Sequence, residues 1–474
     1  MIDPNKNRIP DDVKNVHLIA VCGTAMAALA CMLKELGYAV TGSDRNVYPP
    51  MSDLLAQNQI PVARGFAAEN LDNRPDLVVV GNAVSKDNAE VVRLAEAGLA
   101  YCSMPQAIQH FAAKDREVLL VCGTHGKTTA SSLLAWMLYS AGLDPSFVIG
   151  GVVKDFGGNY RLGKGRHMVI EGDEYDTAFF DKRSKFFHYR PKVAILTGVE
   201  FDHADIFADF GAVRKTFDKF IGGLLPESLL LAFDSDPVVR DLVKGRACNV
   251  KMYGNRDDSA WRLGRVTLQP PASVVEMICG DAVFGTFETR LIGRYNLLNA
   301  LAAAAAAHSV GVPAEEIKKA LATFSGVRRR QEVRGVVRGV TVMDDFAHHP
   351  TAVAATIAGV RPFYPEGRLI AVFEPRTNTS MRNVFQQDYA KAFDLADMVC
   401  VSRVPLPEKV PEGMRFSSQQ LADDLIKSGK EAYCFDGADA IVDFLKGRAA
   451  AGDVVLVMSN GGFDNIHEKL LVGL

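Results

Sequence analysis

Val118-Leu119-Leu120-Val121-Cys122-Gly123-Thr124-His125-Gly126-Lys127-Thr128-Thr129 is the stretch on which the fold turns. It begins as an apolar run of strand length, breaks at Gly123-Thr124-His125-Gly126, and leads into the apolar stretch Ala130 to Tyr139, which has the length of a helix. A strand, a glycine-rich turn and a helix in succession make an anion site. The glycines let backbone N–H groups approach a phosphate, and the helix N-terminus favours negative charge. Lys127 is placed to reach terminal phosphates, and Thr128 to offer its hydroxyl to Mg²⁺. The spacing departs from the standard phosphate loop, because Val121 stands where the first glycine would fall. An unliganded turn is the plainer alternative, and the Gly-Lys-Thr-Thr core between a strand and a helix weighs against it.

The same alternation runs outward in both directions. Upstream, the apolar run Val16 to Val21 turns through Cys22-Gly23-Thr24 into a helical stretch ending at Gly37. Strands at Ala39 to Gly42 and Leu77 to Gly81 follow, and this first domain is placed at residues 1–112. Downstream of the loop, strands are expected at Met168 to Ile170 and Val193 to Leu196, then a long helix from Asn296 to Val310 carrying six consecutive alanines. Alternating polarity at Trp261 to Leu268 and Ala282 to Leu291 predicts a small antiparallel insertion in this middle domain, residues 113–326. Apolar runs at Val340, Leu369, Met398 and Val454 open a third alternation over residues 327–474. The fold class is α/β in three domains, each with a mainly parallel sheet covered on both faces.

Bulk properties narrow the function. The 474 residues carry 53 basic and 56 acidic side chains, a net charge of −3, so nothing global draws the chain to nucleic acid or an anionic membrane. No stretch approaches the roughly 20 apolar residues of a membrane helix, and Met1 to Pro10 is polar, without a signal-peptide run. Eight scattered cysteines form no CxxC pair and read as free thiols of a reducing cytosol. A cytoplasmic chain acting on small molecules is expected, and a monomer is compatible with these features.

In parallel sheets ligands collect beyond the carboxyl ends of the strands. Two acidic clusters fall there, Glu171-Gly172-Asp173-Glu174-Tyr175-Asp176 and Glu200-Phe201-Asp202-His203-Ala204-Asp205. Alone, either is a solvated loop; beside Lys127 and Thr128 they suit a Mg²⁺–nucleotide site, since hard oxygens hold the metal. The third domain adds Asp344-Asp345-Phe346-Ala347-His348-His349, Glu374-Pro375-Arg376-Thr377-Asn378-Thr379 and Ser459-Asn460-Gly461-Gly462. Adjacent histidines seldom serve one metal, so one of His348 and His349 is expected to cap or face solvent. Arg376 has the fork that grips a carboxylate. In the first domain alanines replace the further glycines of a dinucleotide loop after Gly23, which disfavours a nicotinamide dehydrogenase; Ser43-Asp44 is placed to meet a ribose or an amide.

Taken in order, GTHGKTT, Glu171 to Glu174, Asp202-His203, Gly293-Arg294-Tyr295-Asn296 with Asn299, Arg328-Arg329-Arg330 and Asp344 to Thr351 resemble the Mur ligases, ATP-dependent carboxylate–amine ligases of bacterial peptidoglycan synthesis. The resemblance spans nearly the whole chain and implies N- and C-terminal Rossmann-like domains around a central phosphate-loop ATPase domain. It implies ATP and Mg²⁺, with the loop Gly123, Thr124, His125, Gly126, Lys127, Thr128 and Thr129 on the phosphates, and Thr128, Glu174 and His203 around the metal. Asn296 and Asn299 would hold the adenine end, with Arg330 and Asp345 also on the nucleotide. Lys127, His203, Asp345 and His348 would be the catalytic set. UDP-N-acetylmuramate would lie on the first domain, at Cys22, Gly23, Thr24, Ser43, Asp44 and Asn82. His125 points to the branch that uses this sugar nucleotide directly. Within it, Asn46 to Ser52, Phe179 to Phe186, Phe201 to Phe207, Glu374 to Thr379 and Met458 to Phe463 resemble members that attach the tripeptide L-alanyl-γ-D-glutamyl-meso-diaminopimelate. Arg376, Asn378, Arg382 and Asn460 would then meet the peptide. The same-family alternative adds free L-alanine; a non-catalytic nucleotide sensor is the more distant one.

Overall fold

The computed structural model describes residues 2–474. By contact the chain divides into two compact units: Met1–Val199 with Val213–Trp261 and Ala302–Ala320, and Glu200–Ala212 with Arg262–Leu301 and Leu321–Leu474.

The first unit contains two sheets built on parallel strands. In the N-terminal one, Asn15–Ile19 lies between Ala39–Asp44 and Leu77–Val80, with Val62–Arg64 and Tyr101–Ser103 at the edges. Strand order reverses around Asn15–Ile19, the geometry that opens a crevice at the carboxyl ends. In the second sheet Glu117–Cys122 is flanked in parallel by Pro191–Leu196 and His167–Glu171. Register pairs Cys122 with Leu196 and Val121 with Glu171, so the phosphate loop, the Glu171 segment and Thr197-Gly198 leave the sheet at one edge. Leu229–Phe233 and Asn249–Gly254 extend it on one side, Ser146–Val153 and the antiparallel Gly158–Arg161 on the other.

These two sheets share a unit because side chains knit them. A small antiparallel hairpin, Asp176–Ala178 with Asp181–Ser184, carries Phe179 and Phe180 against the N-terminal core of Ile19, Val78, Val80 and Tyr101. Phe180 meets Tyr101 edge to face at 4.8 Å, Asn159 donates to the Thr24 carbonyl at 3.1 Å, and Tyr160 donates to Glu35 at 2.8 Å.

In the second unit a six-stranded sheet runs Glu332–Val337, Val340–Asp345, Val454–Met458, Leu369–Phe373, Met398–Ser402, Glu431–Phe435, parallel except at its first pair. Asp345 and Phe373 both pair with Met458, which brings the segments after all three strands out level. The expected insertion is present and larger than its alternating runs suggested: Ala272–Cys279 pairs with Ala282–Thr289 and follows Trp261–Gln269. By contact most of it groups with the second unit.

Candidate active site

The phosphate loop is shaped by two left-handed glycines, Gly123 at φ +124° and Gly126 at φ +82°. A side chain at 123 is excluded twice over, because a Cβ there would lie 2.3 Å from Thr197 Oγ1. Thr124 N–H donates to the Gly198 carbonyl at 3.0 Å, and the Thr197 hydroxyl donates to the His125 carbonyl at 2.5 Å, so the neighbouring strand end braces the loop. Helix Lys127–Ser140 begins three residues earlier than its apolar run suggested, with Lys127, Thr128 and Thr129 all buried in its first turn.

Lys127 Nζ donates to Glu174 Oε2 at 2.8 Å and to the Gly123 carbonyl at 2.7 Å. Burial alone would lower this ammonium's pKa; the facing Glu174 and Asp173 outweigh it and hold Lys127 above the ordinary lysine range. Thr128 Oγ1 donates to Glu171 Oε1 at 2.9 Å, and Glu171 Oε2 accepts from the Gly150 N–H at 2.7 Å. Lys185 closes the acidic segment by donating to Asp173 Oδ2 and Tyr175 Oη, each at 2.9 Å. Burial opposes the charge on Asp173, and Lys185 and Lys127 overcome it, lowering that carboxyl. Hydroxyl and carboxylate oxygens gathered beside an anion loop are the donor set a magnesium ion takes, so Thr128 and Glu174 fit the expected role.

On the N-terminal sheet Gly23 and Thr24 are exposed at the start of helix Thr24–Glu35. Asp44 accepts from the Cys22 and Asn46 N–H groups at 2.9 and 2.8 Å, which fixes the crossover at the strand ends. Burial, with Asp44 adding to it, pushes the Cys22 thiol up to about 11. Asn82 is exposed, and with its amide nitrogen turned toward the hairpin it donates to the carbonyls of Thr177 and Asp176. Ser43 departs from its expected place. It is completely buried and donates its hydroxyl to Glu90 at 2.7 Å, inside a network with His17 and Asn70, so its side chain supports the sheet.

In the second unit Asp202 is buried and His348 Nε2 lies 3.7 Å from its Oδ2. Burial raises the Asp202 carboxyl, but the neighbouring His348 and His203, with the His203 N–H bond, override this and hold it well below the usual range. His348 Nδ1 is 3.0 Å from the Phe346 carbonyl, which orients the ring. His203 adopts φ +54°, with its N–H donating to Asp202 Oδ1 at 2.7 Å. Of the two adjacent histidines, His349 is the capping one: its Nδ1 accepts from Thr351 N–H at the start of helix Pro350–Val360, leaving Nε2–H to donate to the Phe201 carbonyl at 3.2 Å.

A buried amide network joins the residues expected at the adenine end. Asn299 donates to Asn296 at 3.3 Å, Asn296 donates to Gln331 Oε1 at 3.0 Å, and the Gln331 N–H donates to Asp345 Oδ2 at 2.8 Å. Burial pushes the Asp345 carboxyl up, with Arg330 only partly offsetting it. Arg330 lies over the Phe346 ring at 4.6 Å. Gln331 was missed by sequence reasoning, although it directly follows the singled-out arginine run Arg328 to Arg330.

Arg376 donates to the buried Glu374 at 3.2 Å, and Ser459 Oγ donates to the other Glu374 oxygen at 2.5 Å. Arg329, also missed as a site residue, donates to the carbonyls of Ser459 and Gly461 at 2.6 and 2.7 Å and fixes the Asn460 segment. Buried polar atoms without a protein partner mark this region: Arg382 Nε and Asn460 Oδ1 are two of them. Asn378 points its amide at Asp205, 2.7 Å away, and Thr379 Oγ1 accepts from Ala204 N–H at 3.1 Å; both hold the segment that carries His203.

Three family models cover the chain in the same order as its sheets: "Mur ligase family, catalytic domain" over residues 15–116, "Mur ligase middle domain" over 121–307 and "Mur ligase, glutamate ligase domain" over 328–461. The chain belongs to the Mur ligase family. It is a three-domain α/β Mur ligase and thus an ATP-dependent carboxylate–amine ligase. It is 40% identical to the UDP-N-acetylmuramate–L-alanyl-γ-D-glutamyl-meso-2,6-diaminoheptanedioate ligase of Escherichia coli, over 97% of this chain and 98% of that one. A crystal structure of a murein peptide ligase from Psychrobacter arcticus matches 97% of this chain and 98% of its own, with a TM-score of 0.72 and 34% identity. A UDP-N-acetylmuramate–L-alanine ligase from Caldanaerobacter subterraneus is 32% identical over 97% of both chains. Among the described residues, no helix is long and apolar enough to cross a membrane.

Proposed function

We propose that this Mur ligase joins the lactyl carboxylate of UDP-N-acetylmuramate to the alanine amine of L-alanyl-γ-D-glutamyl-meso-diaminopimelate, converting ATP to ADP and phosphate. The observation that carries the choice of amine is the 40% full-length identity to a tripeptide ligase, against 32% to an L-alanine ligase. A carboxylate resists attack by an amine, so the lactyl oxygen first takes the γ-phosphoryl group and ADP leaves; the amine then attacks the acyl phosphate and expels phosphate.

Lys127 and the backbone of Gly123 to Thr129 are assigned to the phosphates. Thr128 and Glu174 are assigned to Mg²⁺ and so, by family resemblance, is His203; when bound, the ion neutralises charge on the transferring group. Asn296, Asn299, Arg330 and Asp345 are given the nucleotide, and Asp345 and His348 help to position the reacting groups. Cys22, Gly23, Thr24, Asp44 and Asn82 are assigned to the sugar nucleotide. Arg376, Arg382 and Asn460 are assigned to the peptide, supported by the unpartnered Arg382 Nε and Asn460 Oδ1 and by the arginine fork's match to carboxylates. Asn378 is given a supporting place through Asp205. The work belongs to peptidoglycan recycling, in the cytoplasm, without nucleic acid or membrane as partner.

The test supplies purified protein with UDP-N-acetylmuramate, Mg²⁺ and ATP, and compares phosphate release with the tripeptide and with free L-alanine. Faster turnover with the tripeptide, and its amide-linked product by mass, is expected; faster turnover with L-alanine would replace this reading by the alanine ligase.

A further inference from the structure

Lys127 is 9% exposed and Glu174 2%, and they meet at 2.8 Å. Thr128 is likewise engaged, its hydroxyl donating to Glu171 at 2.9 Å. Thr128 and Glu174, two of the three residues assigned to the magnesium ion, are therefore held by protein groups before any ligand arrives. A buried carboxylate is costly unless a cation accompanies it, so Glu174 cannot wait unneutralised beside Glu171 and Asp173. Of the two ammoniums in this cluster, Lys185 is committed to Asp173 and Tyr175, which leaves Lys127 on Glu174.

From this geometry we infer that Lys127 is a built-in counter-ion that keeps the divalent cation off Glu174 until nucleotide phosphate draws the ammonium away. Metal and nucleotide then enter together. An ammonium 2.8 Å from Glu174 Oε2 occupies the position a metal bound to that oxygen would need, and two cations sharing one buried carboxylate repel each other. A nucleotide phosphate offers Lys127 a second set of anionic oxygens at the same loop. When the ammonium moves to them, Glu174 is left carrying a buried charge, and it becomes a competent metal ligand at the moment a phosphate-bound metal is delivered. The proposal rests on the assignment of Glu174 to the metal, and it adds an order of events.

Mn²⁺ binding, followed by electron paramagnetic resonance on the full chain, tests this apart from turnover. Wild-type protein without nucleotide should bind Mn²⁺ at least tenfold more weakly than Lys127→Met without nucleotide. Adding a non-hydrolysable ATP analogue to wild type should bring the Mn²⁺ signal of a protein-bound ternary complex. In the Lys127→Met background, Glu174→Gln should remove the gained site. Lys185→Met changes the cluster's charge equally but leaves Glu174 paired, so it should bind Mn²⁺ as weakly as wild type. Lys127→Arg, which keeps a cation in place, should do the same and guards against misfolding of the Met variant. Equal Mn²⁺ affinity of Lys127→Met and wild type would overturn the proposal, as would an equal gain in Lys185→Met, which would reduce the effect to net charge. Failure of the metal assignment itself reads differently: the ternary Mn²⁺ signal of the otherwise unaltered protein would survive Glu174→Gln.

Discussion

Arg376 crosses the volume that a side chain at position 461 would fill: a Cβ built on Gly461 lies 2.2 Å from Arg376 Cδ and 2.4 Å from its Nε. Gly461→Ala is therefore expected to push the guanidinium off Glu374 without touching the phosphate loop. A hydrogen bond to a charged group is worth roughly 1.5–3 kcal/mol, so the tripeptide KM should rise on the order of tenfold or more while the KM for ATP stays within about twofold. Steady-state kinetics with each substrate varied in turn checks it; an unchanged peptide KM would remove Arg376 from the peptide site. Lys127→Ala makes the opposite split. Phosphate release should fall at least about a hundredfold, the scale for losing a charge-stabilising donor at a reacting phosphate. Sugar-nucleotide affinity, measured by calorimetry, should hold within about twofold, because Cys22, Gly23 and Asp44 sit on a different sheet. Retained ligation in this variant would mean that the phosphate loop has been misassigned. Both residues were legible because each lies in the segment that leaves the end of an apolar run. The pairings were not: Glu174, itself singled out, lies 47 positions from Lys127, and Ser459 lies 85 from Glu374, distances over which periodicity carries no signal.

Elements differ in how plainly they declare themselves. Strands buried on both faces of a parallel sheet leave unbroken apolar runs, which is why Leu77–Val80 and Val454–Met458 stand out. Ala272–Cys279, buried on alternate residues between two strands that were recognised, was passed over. The hairpin Asp176–Ser184 was not read as an element, and only Phe179 to Phe186 was noted, through its resemblance to relatives, since Asp181-Lys182-Arg183-Ser184 has no apolar period and its order comes from tertiary partners. Asp181 is the anchor: buried itself, it lies 2.8 Å from the buried His188 Nε2 and accepts from Arg183 at 3.0 Å. Burial raises its carboxyl, and the bonds to His188 and Arg183 more than reverse this, so its folded-state pKa is depressed. A depressed acid contributes stability that is fully present above the unfolded value of about 3.9 and lost as pH falls through the folded one. Asp181→Asn should then cost about 2 kcal/mol between pH 5 and 6, with the gap to wild type narrowing below pH ~4. Denaturant unfolding across that range measures it. A gap that widens toward acid would contradict the depressed carboxyl.

At the scale of the molecule, three successive strand–helix alternations were enough to give three α/β domains, because each restart of apolar runs needs its own sheet. What the alternation could not give is how contacts partition the chain. Phe179 and Phe180, from the middle of the chain, pack into the N-terminal core, and such long-range burial leaves no mark on local pattern. The cysteines offer a test at the same scale. All eight are free, Cys102 and Cys122 are fully buried, and burial pushes Cys31 up to about 11 and Cys400 to about 12. Near pH 8 such thiols are thiolate in roughly one molecule in a thousand or fewer, and the thiolate is the reactive form. A chromogenic disulfide reagent should therefore react with few or none of them rapidly in the native protein and with all eight after denaturation. Because no disulfide joins any pair, the thermal midpoint should not move when reductant is added. A reductant-dependent midpoint, or fewer than eight equivalents in the denatured chain under non-reducing conditions, would require a covalent link that this packing does not contain.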